Sequence, residues 1–393
     1  MKKIIVFFTI LLVFSQFLCQ GSTAYAESKS IEDELDDEIK NGLDALINNE
    51  LENFFSDINI EEKYKYGQGF RNVIEKILSG QTIGLDDAFN IILGGIGKNI
   101  KQIISYLITI IILSILFGVT KNLNSSFLNE STSQIVYYAI YGTIITVLCV
   151  IVNDIIISAK GVISTIGHLS EISFPILLTL ITAVGGSATA TVYQPMTFII
   201  TNVVMKINEH VILPIFIACI VFTIIGNLTR NIKLAKFTQA LQSIAKWTLG
   251  IMFGTIVTII TAHGIVGASI DSVSIRSTKF ALSAYVPILG GYLSDGFDIV
   301  IAGAIVMKNA IGLGCVIVLF LSIIGHVIKI IVTSLLIKLI AGIIEPIADE
   351  RISQLLYSIS KHFSIIISIV LGSAFLVMVT LMSVICAFNV GVI

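Results

Sequence analysis

The sequence predicts an all-α fold: a polytopic transmembrane helical bundle with an internal repeat, following a small helical extracytoplasmic domain. Hydrophobic residues make up 55% of the chain and charged residues only 13%, about half the charged fraction of an average soluble domain. Apolar runs of about 20 residues, the length that crosses a bilayer core, recur along the chain. These runs lie at 100–119, 135–157, 197–225, 248–268, 299–324 and 365–387.

Residues 1–26 are typical of a secretory signal peptide. Lys2 and Lys3 precede a short apolar stretch, and Ala24 and Ala26 form the small-x-small pattern of a cleavage site. An uncleaved first membrane helix is the alternative interpretation. Cleavage would place the acidic segment 27–95 outside the cytoplasm, where apolar residues at three- and four-residue steps predict amphipathic helices. Their apolar stripe either packs within this protein or docks another extracytoplasmic protein.

The rest of the chain predicts two lead-in transmembrane helices, at 96–161, and two related membrane units, at 162–270 and 271–393. Short landmarks recur in the same order in both units. Met205-Lys206 matches Met307-Lys308, and the run that ends at Lys246 matches the run that ends at Lys361. Internal repeats of this kind are common in transport proteins, so the order of the landmarks favours a duplication.

Charge placement predicts re-entrant hairpins in these units. The loop with Arg230 and Lys233 is rich in positive charge, which predicts a cytoplasmic position. After a cleaved leader, a full crossing by 162–184 would put this loop outside, so we expect that stretch to enter the membrane and return. Backbone breakers mark both expected hairpins: Pro175, Gly185 and Gly186 in the first unit, and Pro287, Gly290 and Gly291 in the second. Ordinary kinks and turns are the alternative.

Two further segments leave alternatives open. Lysines interrupt the apolar stretch 328–347, so its membrane crossing is undecided. Residues 228–247 alternate apolar and basic positions, which predicts an amphipathic helix on the cytoplasmic lipid face or against a cytoplasmic partner.

Polar residues at membrane depth are the candidate functional residues. Lys206, Glu209 and His210 share one helix face by their spacing, and Lys308 with Asn309 occupies the matching place in the second unit. Charges inside a membrane usually face a bundle interior or water, which predicts that these five residues line a pore or substrate path. The alternative for the first cluster is a helix break near the interface, with the Lys206 ammonium reaching the headgroups.

Patterns of catalysis and of cofactor binding are not found in the sequence. It contains no Walker A loop, GxSxG or HExxH motif. Its cysteines are scattered, which argues against a metal or redox site. We therefore expect neither an enzyme nor a resident cofactor. The net charge of −2 gives no indication of a nucleic-acid partner.

Five stretches carry a family resemblance: Pro175–Leu180 with Gly185-Gly186, Val211–Pro214, Asp271–Phe280, Lys308–Gly312 and Glu345–Asp349. Together they resemble the stage III sporulation protein AE family of endospore-forming bacteria. The resemblance implies a membrane component, permease-like or an export gate, of the mother-cell-to-forespore channel required for sporulation. It implies other membrane proteins of that channel and a separate cytoplasmic ATPase as partners, and it supplies no site residues. A stand-alone secondary transporter and a non-conducting assembly scaffold remain alternatives, and a homo-oligomer stays open.

Overall fold

The computed structural model describes residues 103–119, 130–183, 185–228, 234–285, 290–348 and 350–386. These residues form six helices, with no strand among them, and the last five are each long and apolar enough to cross a membrane. The predicted all-α polytopic bundle is confirmed. The leader with Ala24 and Ala26, segment 27–95 and Pro287 lie outside the described residues. The helices are α1 Ile103–Val119, α2 Glu130–Ala183, α3 Ser187–Leu228, α4 Ala235–Tyr285, α5 Gly290–Ile344 and α6 Glu350–Cys386.

The hairpin expected at 162–184 is wrong, because α2 continues through this stretch to Ala183 with Pro175 inside it. Pro175 lacks one backbone N–H, a loss that a packed apolar helix tolerates. The 54 residues of α2 measure about 80 Å at 1.5 Å per residue. The apolar run 135–157 and the stretch 162–183 are therefore parts of one continuous helix.

The chain turns after α2 at Gly185 and Gly186. Gly185 has φ of 90°, in the left-handed region that a side chain disfavours. The Gly186 N–H donates to the Ile181 carbonyl and the Gly185 N–H to the Thr182 carbonyl, which is the Schellman arrangement of a helix end.

The unit boundaries also differ from expectation, whereas the second predicted hairpin stays a prediction. Gly290 and Gly291 are the first residues of α5, and Pro287 before them lies outside the described residues. The undecided stretch 328–347 consists of the last turns of α5 and the turn that follows Ile344. The boundaries drawn at 161/162 and 270/271 fall inside α2 and α4, because hydropathy dips along a helix without ending it.

Helix α6 is the centre of the bundle. Within its most apolar window 61% of the residues are buried, against 28–39% in the other four long helices. It packs against α2, α3, α4 and α5. Gly372 allows this contact on one side, since the Phe253 ring of α4 occupies the space that a Cβ would need.

One end of the bundle gathers the start of α2, the end of α3 and the start of α6. The Tyr141 hydroxyl donates to the Ile224 carbonyl over 2.8 Å. The Arg351 guanidinium lies 3.8 Å from the centroid of the Tyr137 ring. The Tyr137 hydroxyl also donates to the Asn227 carbonyl over 3.4 Å. Earlier residues of α2 thus meet later residues of α3, so the two helices run antiparallel and α3 ends where α2 begins.

Candidate functional site

Helix α3 departs from α-helical geometry around Lys206. Its π-helical segments are Ile199–Val204 and Asn208–Ile212. Pro214 lies two residues beyond the second segment and lacks the N–H that would bond the His210 carbonyl, which accounts for a disturbed backbone here. Such π segments are frequent at functional sites.

Lys206, Glu209 and His210, which their spacing places on one helix face, are all exposed in this region. His210 Nδ1 lies 3.2 Å from the Lys206 carbonyl oxygen. Neither Lys206 nor Glu209 forms an ion pair within the part of the chain that the structure describes. The three residues interrupt a stripe of exposed apolar side chains, here called the α3 stripe: Phe198, Val203, Val211, Ile217, Val221 and Ile225.

Asn208 points the opposite way and is fully buried. Its Nδ2 donates to the Ser373 hydroxyl of α6 over 2.7 Å, and that hydroxyl donates to the Ile369 carbonyl over 2.8 Å. Sequence reasoning missed Asn208, although a rotation of about 100° per residue places it opposite the other three. One turn of α3 thus carries a buried polar anchor and an exposed charged face.

Lys308 lies elsewhere, fully buried on α5. The Cys386 thiol of α6 lies within electrostatic range of it, and Tyr193 of α3 lies near the same thiol. Cys386 is about 20 Å along α6 from Ser373. The structure therefore separates the two predicted clusters: Lys206 is on the outer surface and Lys308 is inside. Whether either cluster lines a path stays a prediction.

Asn309, beside Lys308, is partly buried. Its Oδ1 is buried and accepts no hydrogen bond from the described residues.

An ion pair that the sequence did not reveal joins α2 to α5. Lys329 Nζ lies 2.9 Å from Asp154 Oδ2 and 3.0 Å from Oδ1. Asp154 and Lys329 are isolated charges 175 positions apart in the chain, so the sequence gave no signal of this pairing. Charged pairs between apolar helices commonly mark functional or register-setting contacts.

A buried histidine joins three helices near the basic end. His362 of α6 has Thr223 Oγ1 of α3 at 2.7 Å from Nε2, and the Gln242 amide of α4 contacts Nδ1. Thr223 donates its own hydroxyl proton to the Cys219 carbonyl, so the ring proton is assigned to Nε2 and Gln242 is the donor to Nδ1. This network sets the position of α4 after the basic loop.

Metal-ligand clusters of three or more His, Cys, Asp or Glu side chains do not occur among the described residues. The polar groups present can pair charges between chains, hold helices in register or line a polar path.

Two comparisons with known proteins identify the same family. The family profile described as Stage III sporulation protein AE matches residues 69–388. "Stage III sporulation protein AE" of Bacillus subtilis (strain 168) is 24% identical over 253 residues, which are 64% of this chain. The match spans 63% of that relative's length. No solved structure matches the chain. Because the profile covers well over half of the residues, the chain belongs to the stage III sporulation protein AE family.

Proposed function

We propose that this sporulation protein is a non-enzymatic, multi-pass membrane subunit of the mother-cell-to-forespore channel complex, in which it is the permease-like or export-gate component. Membership of the family supports the role in sporulation. The observation that carries the subunit role is the exposed Lys206–Glu209 pair on the α3 stripe.

The cost of placing Lys206 and Glu209 in lipid favours an α3 stripe that another protein surface covers or that faces water. From Phe198 to Ile225 the stripe extends about 40 Å along the helix, more than the roughly 30 Å core of a bilayer. Lys206 lies about 12 Å inside its nearer end. A charged side chain at the centre of a membrane helix costs about 2.5–3.5 kcal/mol on insertion scales. A face with two such charges is therefore better covered by protein or open to water than exposed to lipid.

The helix arrangement supports a simple topology. If α1 to α6 each cross once, and the chain starts outside, then the basic loop after α3 lies in the cytoplasm as the positive-inside rule requires. The turn at Gly185 and the C-terminus then lie outside, with the N-terminal domain. We place this arrangement in the mother-cell membrane around the forespore. No hairpin is needed to satisfy the charge distribution.

Energy for transport would come from a separate cytoplasmic ATPase, since the chain has no Walker A loop. The other membrane proteins of the channel are the remaining partners. The basic end, which carries Arg351 and the loop after α3, is the surface available to the ATPase in this topology.

The test is complementation of a deletion strain with tagged protein. We expect the wild-type chain to restore heat-resistant spores and to co-purify with the ATPase and with other channel proteins. Lys206→Ala/Glu209→Ala should reduce both readouts at normal protein level, whereas Ile217→Ala/Val221→Ala on the same stripe should reduce them little. Normal spore formation by the deletion strain would exclude the proposed role.

A stand-alone secondary transporter is the second candidate, and the buried Lys308 favours it. Buried cations in transport proteins often contact the substrate path directly. Purification with no channel protein or ATPase, combined with loss of sporulation in Lys308→Ala at normal protein level, would support the transporter. Recovery of the complex, with full sporulation by Lys308→Ala, would exclude it.

A further inference from the structure

We infer that the α3 stripe is the contact between two copies of this chain, with Lys206 of one copy against Glu209 of the other. The inference rests on the proposed subunit role and names the partner that covers this surface.

Charge balance identifies a second copy as the occupant. Lys206 and Glu209 are exposed, opposite in sign and without an ion-pair partner among the described residues. A partner surface of one sign would neutralise one charge and repel the other. A second copy carries one charge of each sign at the same depth, so each lysine meets a glutamate.

The geometry suits copies that share one orientation in a membrane. The two residues are about 4.5 Å apart along the helix axis, a distance that the long side chains of Lys and Glu bridge. Exposed apolar residues flank the charges on both sides, from Phe198 at 62% exposure to Val221 at 45%. Side-by-side packing would bury these residues and desolvate the two ion pairs, which makes the pairs selective for the correct neighbour.

The first experiment uses reciprocal charge variants in cells. Lys206→Glu has two acidic residues on the stripe, and Glu209→Lys has two basic ones. Each variant alone should self-associate about 10- to 100-fold more weakly than the wild-type chain and should lose spore formation. Co-expression of the two variants should restore both, because acidic and basic stripes then alternate between copies.

Co-expression distinguishes contact between copies from a pair within one helix. A pair inside one chain is restored only by the double variant Lys206→Glu/Glu209→Lys. If co-expression restores nothing while this double variant does, the inference is overturned. A further outcome is that each single variant loses spores and channel-protein binding but keeps self-association. A different subunit then covers the α3 stripe, which overturns the inference of a second copy and leaves the proposed function standing. If single variants behave as wild type, the inference is overturned, and the deletion strain alone decides the proposed function.

A second experiment does not depend on charge variants. Val203→Cys or Val211→Cys, each in a Cys149→Ser background that removes the exposed thiol of the described residues, should form disulfide-linked dimers in membranes on mild oxidation. Ile157→Cys on α2 is the matched control, since Ile157 is equally apolar and 61% exposed. Dimers through Ile157→Cys with none through the α3 positions would overturn the inference.

Discussion

Lys329 of α5 places its ammonium between the two carboxylate oxygens of Asp154 of α2, at 2.9 Å from Oδ2 and 3.0 Å from Oδ1. The lysine side chain is 14% exposed and the aspartate 47%. The pair therefore joins two apolar helices, and Lys329 is the more deeply buried of the two charged side chains.

The first prediction follows from this asymmetry. Asp154→Asn leaves the more buried ammonium without its counter-charge, so we expect a loss of about 1–3 kcal/mol in unfolding free energy. Lys329→Met should cost less, because the Asp154 carboxylate is half-exposed. Thermal unfolding of the purified protein in detergent measures both.

The exchange Asp154→Lys/Lys329→Asp is the companion variant. It should recover part of the stability lost in Asp154→Asn, and Lys160→Met, at an exposed position of α2, is the neutral control. Equal melting temperatures for Asp154→Asn and Lys160→Met would contradict a stabilising pair.

The second prediction concerns the buried contact between Asn208 and Ser373. Ser373→Ala removes the acceptor of the Asn208 amide and should destabilise the protein by about 1–3 kcal/mol. Asn208→Leu/Ser373→Ala removes both polar partners and should be more stable than Ser373→Ala. Ser368→Ala on the exposed face of α6 is the control, and no difference between the two serine variants would refute the contact.

The third prediction concerns the packing of α4 on α6. Gly372→Ala would place a methyl group in the space of the Phe253 ring, so we expect a loss of about 1–3 kcal/mol from overpacking. Gly250→Ala faces open space and should be neutral or slightly stabilising. Phe253→Leu should relieve part of the Gly372→Ala defect; an additive double variant would show that the two sites are independent.

The fourth prediction concerns the turn between α2 and α3. Gly185 has φ of 90°, which costs a side-chain-bearing residue about 1–2 kcal/mol. Gly185→Val should therefore lower the melting temperature clearly, and Gly185→Asn should lower it less, because Asn tolerates left-handed backbone. Equal effects of Val and Asn would indicate that space, not backbone conformation, limits this position.

Several structural features could be predicted from the sequence because they depend on residues that are close together in the chain. Apolar runs of membrane length predicted the helices, and Gly185-Gly186 was recognised as a backbone break. The spacing of Lys206, Glu209 and His210 predicted one shared face, which the structure shows as exposed. Helical rotation also determines that Asn208 faces the other way. The internal repeat stays a prediction, with its two lysines in different surroundings.

The tertiary structure decided how the runs join and which distant groups meet. Pro175 resembled a hairpin break, but α2 continues through it, because neighbouring groups in a membrane helix compensate for the missing N–H. Asp154 and Lys329, or His362 and Gln242, are paired only by the approach of helices far apart in the chain. The sequence by itself determined that α3 would be apolar and would carry a charged face. The packing of α3 against α6 decided that this face stays outside and Asn208 inside, since only a neighbouring helix can cover one side of α3 and accept a hydrogen bond from the Asn208 Nδ2 group.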